Sequence, residues 1–279
     1  SSNPKKDVIH IGGTGPDARP AIIRVQEITA TWSVDLIPPP AGRESDAPAA
    51  FRVTHVLAAH LERCFALNPL VGFRFNGIIN SRCIGFGVTR FKRYGGHDFL
   101  RGVWVQGRPR LFAGGNASLY LVDGNVTTNM ALRSTLHRPM GVLADADFAD
   151  LYIHGLETAH IAFPIMLDGA GGDFDGGHGD VHIRSLVLDQ IIGDGVTIRN
   201  LNALAKVQID GGYIQIVDSR ERNKGLWFEN GQGQITVSNL QITGENSSTT
   251  SIGIYAQNQP NIAIGDSVIV ENIAFPVTV

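Results

Sequence analysis

From Gly72 onward, apolar and polar residues alternate in short runs, and the runs recur as a phrase. Its openings are Gly72-Phe73-Arg74-Phe75, Gly102-Val103-Trp104-Val105, Gly141-Val142-Leu143-Ala144, Gly195-Val196-Thr197-Ile198, Gly225-Leu226-Trp227-Phe228 and Gly253-Ile254-Tyr255-Ala256, with a weaker copy at Ala162-Phe163-Pro164-Ile165. The last three start about 30 residues apart, a period that belongs to repeat architectures. A second run follows each opening, with alternating pairs such as Leu151/Ile153, Val181/Ile183, Val207/Ile209, Ile235/Val237 and Ile262/Ile264. Alternation at period two means strands with one buried face.

A third run follows in the later copies, at 185–190, 213–217, 241–244 and 268–271. Three short strands in a repeat of about 28 to 30 residues match one coil of a parallel β-helix, in which each coil buries its inward side chains against its neighbours. Gly211-Gly212, Asn230-Gly231 and Gly244-Glu245-Asn246 supply residues that accept bent or left-handed corners. An antiparallel sandwich also has short strands and frequent turns, but its loops do not recreate one phrase at a fixed spacing. The expected fold class is therefore all-β, a parallel β-helix.

The first 60 residues fit this pattern less well. Val8 to Ile11 and Ala21 to Ile28 are expected strands, and Pro38-Pro39-Pro40 through Pro48 is an expected loop. Apolar residues at Val53, Val56, Leu57, Leu61, Phe65 and Leu67 have roughly helical spacing, so the one predicted helix covers Val53 to Leu67. The expected division is an irregular capping or adapter region, 1–68, and a β-helix, 69–279. Such a cap would cover the strand edges at a solenoid end.

Composition narrows the function classes. The 279 residues include 33 Gly, and only 18% are charged, which describes a turn-rich chain with ample core. No window is apolar enough to span a membrane. A net charge of −3 and no basic block longer than Arg90 to Arg93 argue against a nucleic-acid partner. Cys64 and Cys83 form no metal or disulfide framework and fit as small buried hydrophobes. No residue pattern calls for a cofactor or metal. The chain opens at Ser1 with no Met or signal-like segment, as expected of a piece of something larger.

Unusual chemistry concentrates in the middle. Asp145, Asp147 and Asp150 are followed by Asp168, Asp173, Asp175, His178 and Asp180, with Glu157 and His160 between. Rows of strands lie about 4.8 Å apart, so carboxylates distant in sequence can meet. A carboxylate pair is what glycoside hydrolysis requires, one group protonated and one ionised. The candidate catalytic residues are Asp145, Asp147, Glu157, Asp173, Asp175 and His178. The plainer alternative is that aspartates in the Gly-rich stretch 169–179 make turn hydrogen bonds or face water. Candidate substrate-binding residues are Trp104, Tyr152 and Trp227, whose rings suit a sugar's apolar face, and Arg184 and Arg199, which suit acidic sugars. The tryptophans equally suit the core or a subunit contact, and the arginines a solvated surface.

The coil phrases, such as Gly-Leu-Trp-Phe-Glu-Asn at 225–230 and Gly-Ile-Tyr-Ala-Gln-Asn at 253–258, resemble the right-handed, single-stranded parallel β-helix superfamily of pectate lyases, polygalacturonases and bacteriophage tailspikes. Gly177-His178-Gly179 looks like the Gly-His-Gly motif of polygalacturonases, but their paired Asp-Asp and Arg-Ile-Lys motifs are missing, so that mechanism is not carried over. The irregular coils and scarce cysteines are most similar to a tailspike. That resemblance implies a homotrimer in a virion tail that binds a bacterial capsule or lipopolysaccharide and hydrolyses it as an endo-acting glycoside hydrolase. The alternatives are a receptor-binding or structural β-helix without chemistry, from a tail fibre or a secreted or surface adhesin, and a polysaccharide lyase using a His, Tyr or Lys base.

Overall fold

The computed structural model describes residues 6–13, 22–40, 42–91, 99–106, 118–128, 139–145, 150–169, 180–217, 222–245 and 250–278. These residues are nearly all β, with one short 3-10 turn at Glu44–Asp46. Among them no helix is long and apolar enough to cross a membrane.

Two long sheets, paired in parallel throughout, organise the chain. The first has ten strands in sequential order: Ile9–Gly12, Ala49–Val56, Val71–Ile78, Arg101–Gln106, Met140–Asp145, Phe163–Asp168, Val196–Arg199, Lys224–Glu229, Ile252–Gln257 and Phe275–Thr278. The second has 15 strands and two legs. One leg runs through Ile22–Gln26, Ala58–Glu62, Asn80–Ile84, Ser118–Val122 and Asp150–His154, the other through Thr29–Ala30, Phe65–Leu67, Gly87–Arg90, Asn125–Thr128 and Glu157–Ala159. Both legs join the long strand Asp180–Ile191, which continues into Lys206–Ile216 and Gln234–Gly244. Each chain segment thus contributes one strand to the first sheet and two to the second before the pattern repeats. This arrangement is compatible with a parallel β-helix.

Stacking places like on like. In the first sheet Phe51, Phe73, Val103, Val142, Ile165, Val196, Leu226 and Ile254 are successive register partners, and all are buried. Phe51 stacks on Phe73 at 4.8 Å between centroids, and Phe86 meets Phe73 edge-on at 5.6 Å, the offset and T-shaped geometries that aromatic pairs favour. The glycine that opens each phrase has a steric cause. A Cβ on Gly102 would lie 2.5 Å from the Gly141 carbonyl oxygen and 2.6 Å from the Val126 side chain.

The bend between the two legs is a file of left-handed residues: Glu27, Arg63, Gly85, Asp123, Gly155, Ser185, Gly211 and Asn239, with φ from 50° to 77°. Non-glycine residues resist this conformation, and regular pairing across the bend offsets it. Arg63 N–H donates to Ile84 O, Gly85 N–H to Val122 O, and Asp123 N–H to His154 O. A second left-handed file, Asn200, Asn230 and Asn258, follows the first sheet. There the Asn258 Nδ2 donates to Asn230 Oδ1 at 2.9 Å.

The predicted helix at Val53 to Leu67 is a correction: the segment forms Ala49–Val56, Ala58–Glu62 and Phe65–Leu67. Left-handed corners at His55 (φ 51°) and Arg63 (φ 50°) shift the strand alternation. Residues 53, 56, 59, 61, 64 and 66 all become buried, a spacing that imitates a helix. The region 1–68, expected to be irregular, carries strands that continue both sheets; Ala49–Val56 pairs with strands on either side of residue 68.

Adding a methyl group at Gly102 (Gly102→Ala) is expected to lower stability by about 1–3 kcal/mol. Gly265→Ala, where the nearest heavy atom lies 3.4 Å from the new Cβ, should be close to neutral. Thermal unfolding of the two variants checks this, and equal losses would contradict the steric account.

Candidate functional site

The two strands Met140–Asp145 and Phe163–Asp168 both end in an aspartate, and Asp145 and Asp168 are register partners. The second-sheet strands that follow each of them both begin with one: Asp150 pairs with Asp180. Two aspartate pairs on adjacent rows therefore lie at the end of one sheet's strands and at the start of the next sheet's. Asp147, Asp173, Asp175 and His178 lie outside the described residues.

The four carboxylates differ in surroundings. Trp104 Nε1–H donates to Asp145 Oδ1 at 2.9 Å. Burial pushes the Asp145 carboxyl above the usual carboxylate range, opposed by that hydrogen bond and by the nearby Arg101 and Arg74. Asn200 Nδ2 donates to Asp168 Oδ1 at 2.8 Å, and Ser118 Oγ donates to Asp150 at 3.0 Å. Asp145 thus has a carboxyl raised by burial, and the hydrogen-bonded Asp168 is its partner in the next row.

Asp145 and Asp168 sit on the outer side of the first sheet. Their file continues to Arg199 and Glu229, and the adjacent outer file is Arg74, Trp104, Leu143, Met166, Thr197, Trp227 and Tyr255. Trp104, Asp145, Arg199 and Trp227, all singled out in the sequence, therefore share one face. Trp104 is only 4% exposed, and the Arg74 guanidinium lies 4.7 Å from its ring centroid. The Trp227 ring has Arg199 Cζ at 4.0 Å and Lys224 Nζ at 3.9 Å. Arg199 comes from the row before, and Lys224 also reaches the Tyr255 ring of the row after at 5.7 Å. Ion pairs to Glu229 (3.1 Å) and Asp194 (3.5 Å) anchor these cations. Trp104 is a hydrogen-bond donor to a carboxylate, and Trp227 a platform for two cations.

The remaining candidates lie elsewhere. Tyr152 is on the outer side of the second sheet, stacked between Tyr120 (4.4 Å) and His182 (4.8 Å); those neighbours take its faces. Arg184 is exposed beside the bend, and Glu157 is exposed on the other leg, past Gly155. Neither joins Asp145. Sequence reasoning assigned no role to Arg74, Arg101 or Lys224, since a lone basic residue in a strand carries no motif. Asp168 was visible only as part of the acidic run. Among the described residues no group of three His, Cys, Asp or Glu side chains is arranged to hold a metal.

No family model, curated protein or solved structure matches this chain.

Trp104→Phe keeps the ring and removes the donor that favours the Asp145 carboxylate. The Asp145 pKa is expected to climb further above that of an exposed aspartate, as followed by carboxyl carbon NMR through a pH titration. A fall, or no change, would show that the hydrogen bond does not hold the ionised form.

Proposed function

We propose that this chain is a right-handed parallel β-helix of the tailspike kind, a domain that binds a bacterial surface polysaccharide along the outer side of its first sheet and hydrolyses it. The observation that carries the reading is the in-register pair Asp145 and Asp168, with Asp145 held toward its protonated form by burial. Asp145 donates the proton to the leaving glycosidic oxygen. Asp168, kept in place by Asn200, supplies the carboxylate that activates water or attacks the sugar. The file running from Trp104 to Trp227 and Tyr255 crosses several rows at about 4.8 Å each, a length that suits an extended polymer. Cations anchored over Trp227 supply donors for sugar oxygens. The reading includes assembly as a homotrimer on a virion tail. No cofactor enters this scheme.

Purified protein is incubated with capsular and lipopolysaccharide glycans, and new reducing ends are measured. The expected result is release from one glycan class, lowered at least about 100-fold by Asp145→Asn or Asp168→Asn, with binding retained. Binding without new ends would make the domain a receptor-binding module. Unsaturated products absorbing in the ultraviolet would make it a lyase.

A further inference from the structure

The outer sides of the second sheet's two legs differ in charge. On the first leg Arg24, Arg82, Arg184 and Lys206 are exposed, and among the described residues none of them makes a salt bridge. Of that leg's acids, Glu62 accepts from Gln26 at 2.7 Å, Asp150 from Ser118 at 3.0 Å, and Asp210 from Ser238 and Asn239 at 2.8 Å. Asp180 is left against a surplus of cations. The second leg is the reverse. Among the described residues its outward strand positions hold Glu157, Asp189 and Glu271 and no Lys, Arg or His. Among those residues Glu157 and Asp189 make no salt bridge either. Val187, the register partner of Glu157, is an apolar side chain 43% exposed beside them.

Both legs flank one bend, and their charges are matched in height. Glu157 lies in the same row as the exposed His154, and Asp189 on the same strand as Arg184, with Lys206 one row later. Rotation about an axis parallel to the stack keeps every row of a second copy level with the same row of the first. Glu157 and Asp189 of one copy then meet Arg184 and Lys206 of the next, with Val187 covered between them. A two-fold contact of the second leg on itself would set acid against acid, which opposes it. Each leg is about nine rows long, roughly 40 Å, and about four residues wide, roughly 13 Å. That is about 500 Å² per face and about 1,000 Å² per contact, the least expected of a specific interface.

We propose that copies of this chain associate side by side through unlike faces, the acidic second leg of one on the basic first leg of the next, with every bend turned toward a common axis. The contact closes into a ring, because each copy offers one face of each kind. The outer side of the first sheet stays uncovered for a polymer. The inference rests on the homotrimer in the reading above only for the number of copies; the assignment of faces stands on the charges and the register.

Light scattering of the intact chain during gel filtration at low salt is expected to give three times the chain's mass. Glu157→Arg with Asp189→Arg, or Arg184→Glu with Lys206→Glu, should weaken association at least about tenfold, and a chain carrying all four changes should recover it. Unmutated protein supplies a second measurement. A carbodiimide, which takes up the water lost when a carboxylate and an amine form an amide, should join Lys206 of one copy to Glu157 or Asp189 of another. A single-chain mass, undiminished association in both double variants, no recovery in the folded fourfold variant, or cross-links between copies that avoid these residues would each overturn the faces. An assembly of another number with these cross-links would keep the faces and overturn the homotrimer. Assembly without new reducing ends from any glycan would overturn the hydrolase reading alone, and cleavage by a single chain would overturn the faces alone.

Discussion

Parallel, in-register pairing of each strand with its counterpart about one repeat away is the interaction on which everything else here depends. It satisfies the backbone of both sheets and aligns inward side chains so that each is covered by the row before and the row after. The last row shows how strong the dependence is. Val277 pairs with Ile254 in the same inward file, yet Val277 is 51% exposed and Ile254 1%, because one has a neighbour on a single side. Burial in this chain is a property of the stack.

The same register builds the candidate site. Outward positions stack as faithfully as inward ones, so the chain places Asp145 against Asp168, Asp150 against Asp180, and Trp227 between cations drawn from its own row and the one before. Each strand spacing is about 4.8 Å, a distance at which charges interact strongly once water is excluded. Burial of Asp145 on this outer side raises its carboxyl, against the opposing pull of the Trp104 hydrogen bond and of Arg101 and Arg74. The second sheet is ordered as well, but its outer file closes on itself: the Tyr120, Tyr152 and His182 rings occupy one another's faces.

Much of the strand order was legible in the sequence because the opening phrases are anchored by glycines with a steric cause, and Gly72, Gly102, Gly141, Gly195, Gly225 and Gly253 all open strands of the first sheet. The weak copy at Phe163–Asp168 also takes its place between its neighbours. The N-terminal strands were harder to read. Their corners use Glu27, His55 and Arg63 in a left-handed conformation that glycine or asparagine usually marks, so the alternation slipped without a signal and 53–67 imitated a helix. At the candidate site, the acidic run already contained Asp145 and Asp168, which the register pairs. The roles of Trp104 and Trp227 followed from which polar atoms and cations the register brings to them, and no single phrase contains that information. Arg74 drew no notice because its place over the Trp104 ring depends on the register between two strands.

The central claim is that the outer side of the first sheet, at the rows of Trp104, Asp145 and Asp168, is the functional surface. Hydrogen–deuterium exchange of Asp145→Asn with and without a bound surface polysaccharide tests it most directly. The account expects new protection in strands Arg101–Gln106, Met140–Asp145 and Phe163–Asp168. Protection confined to Asp150–His154 and the first half of Asp180–Ile191, on the outer side of the second sheet, would contradict it.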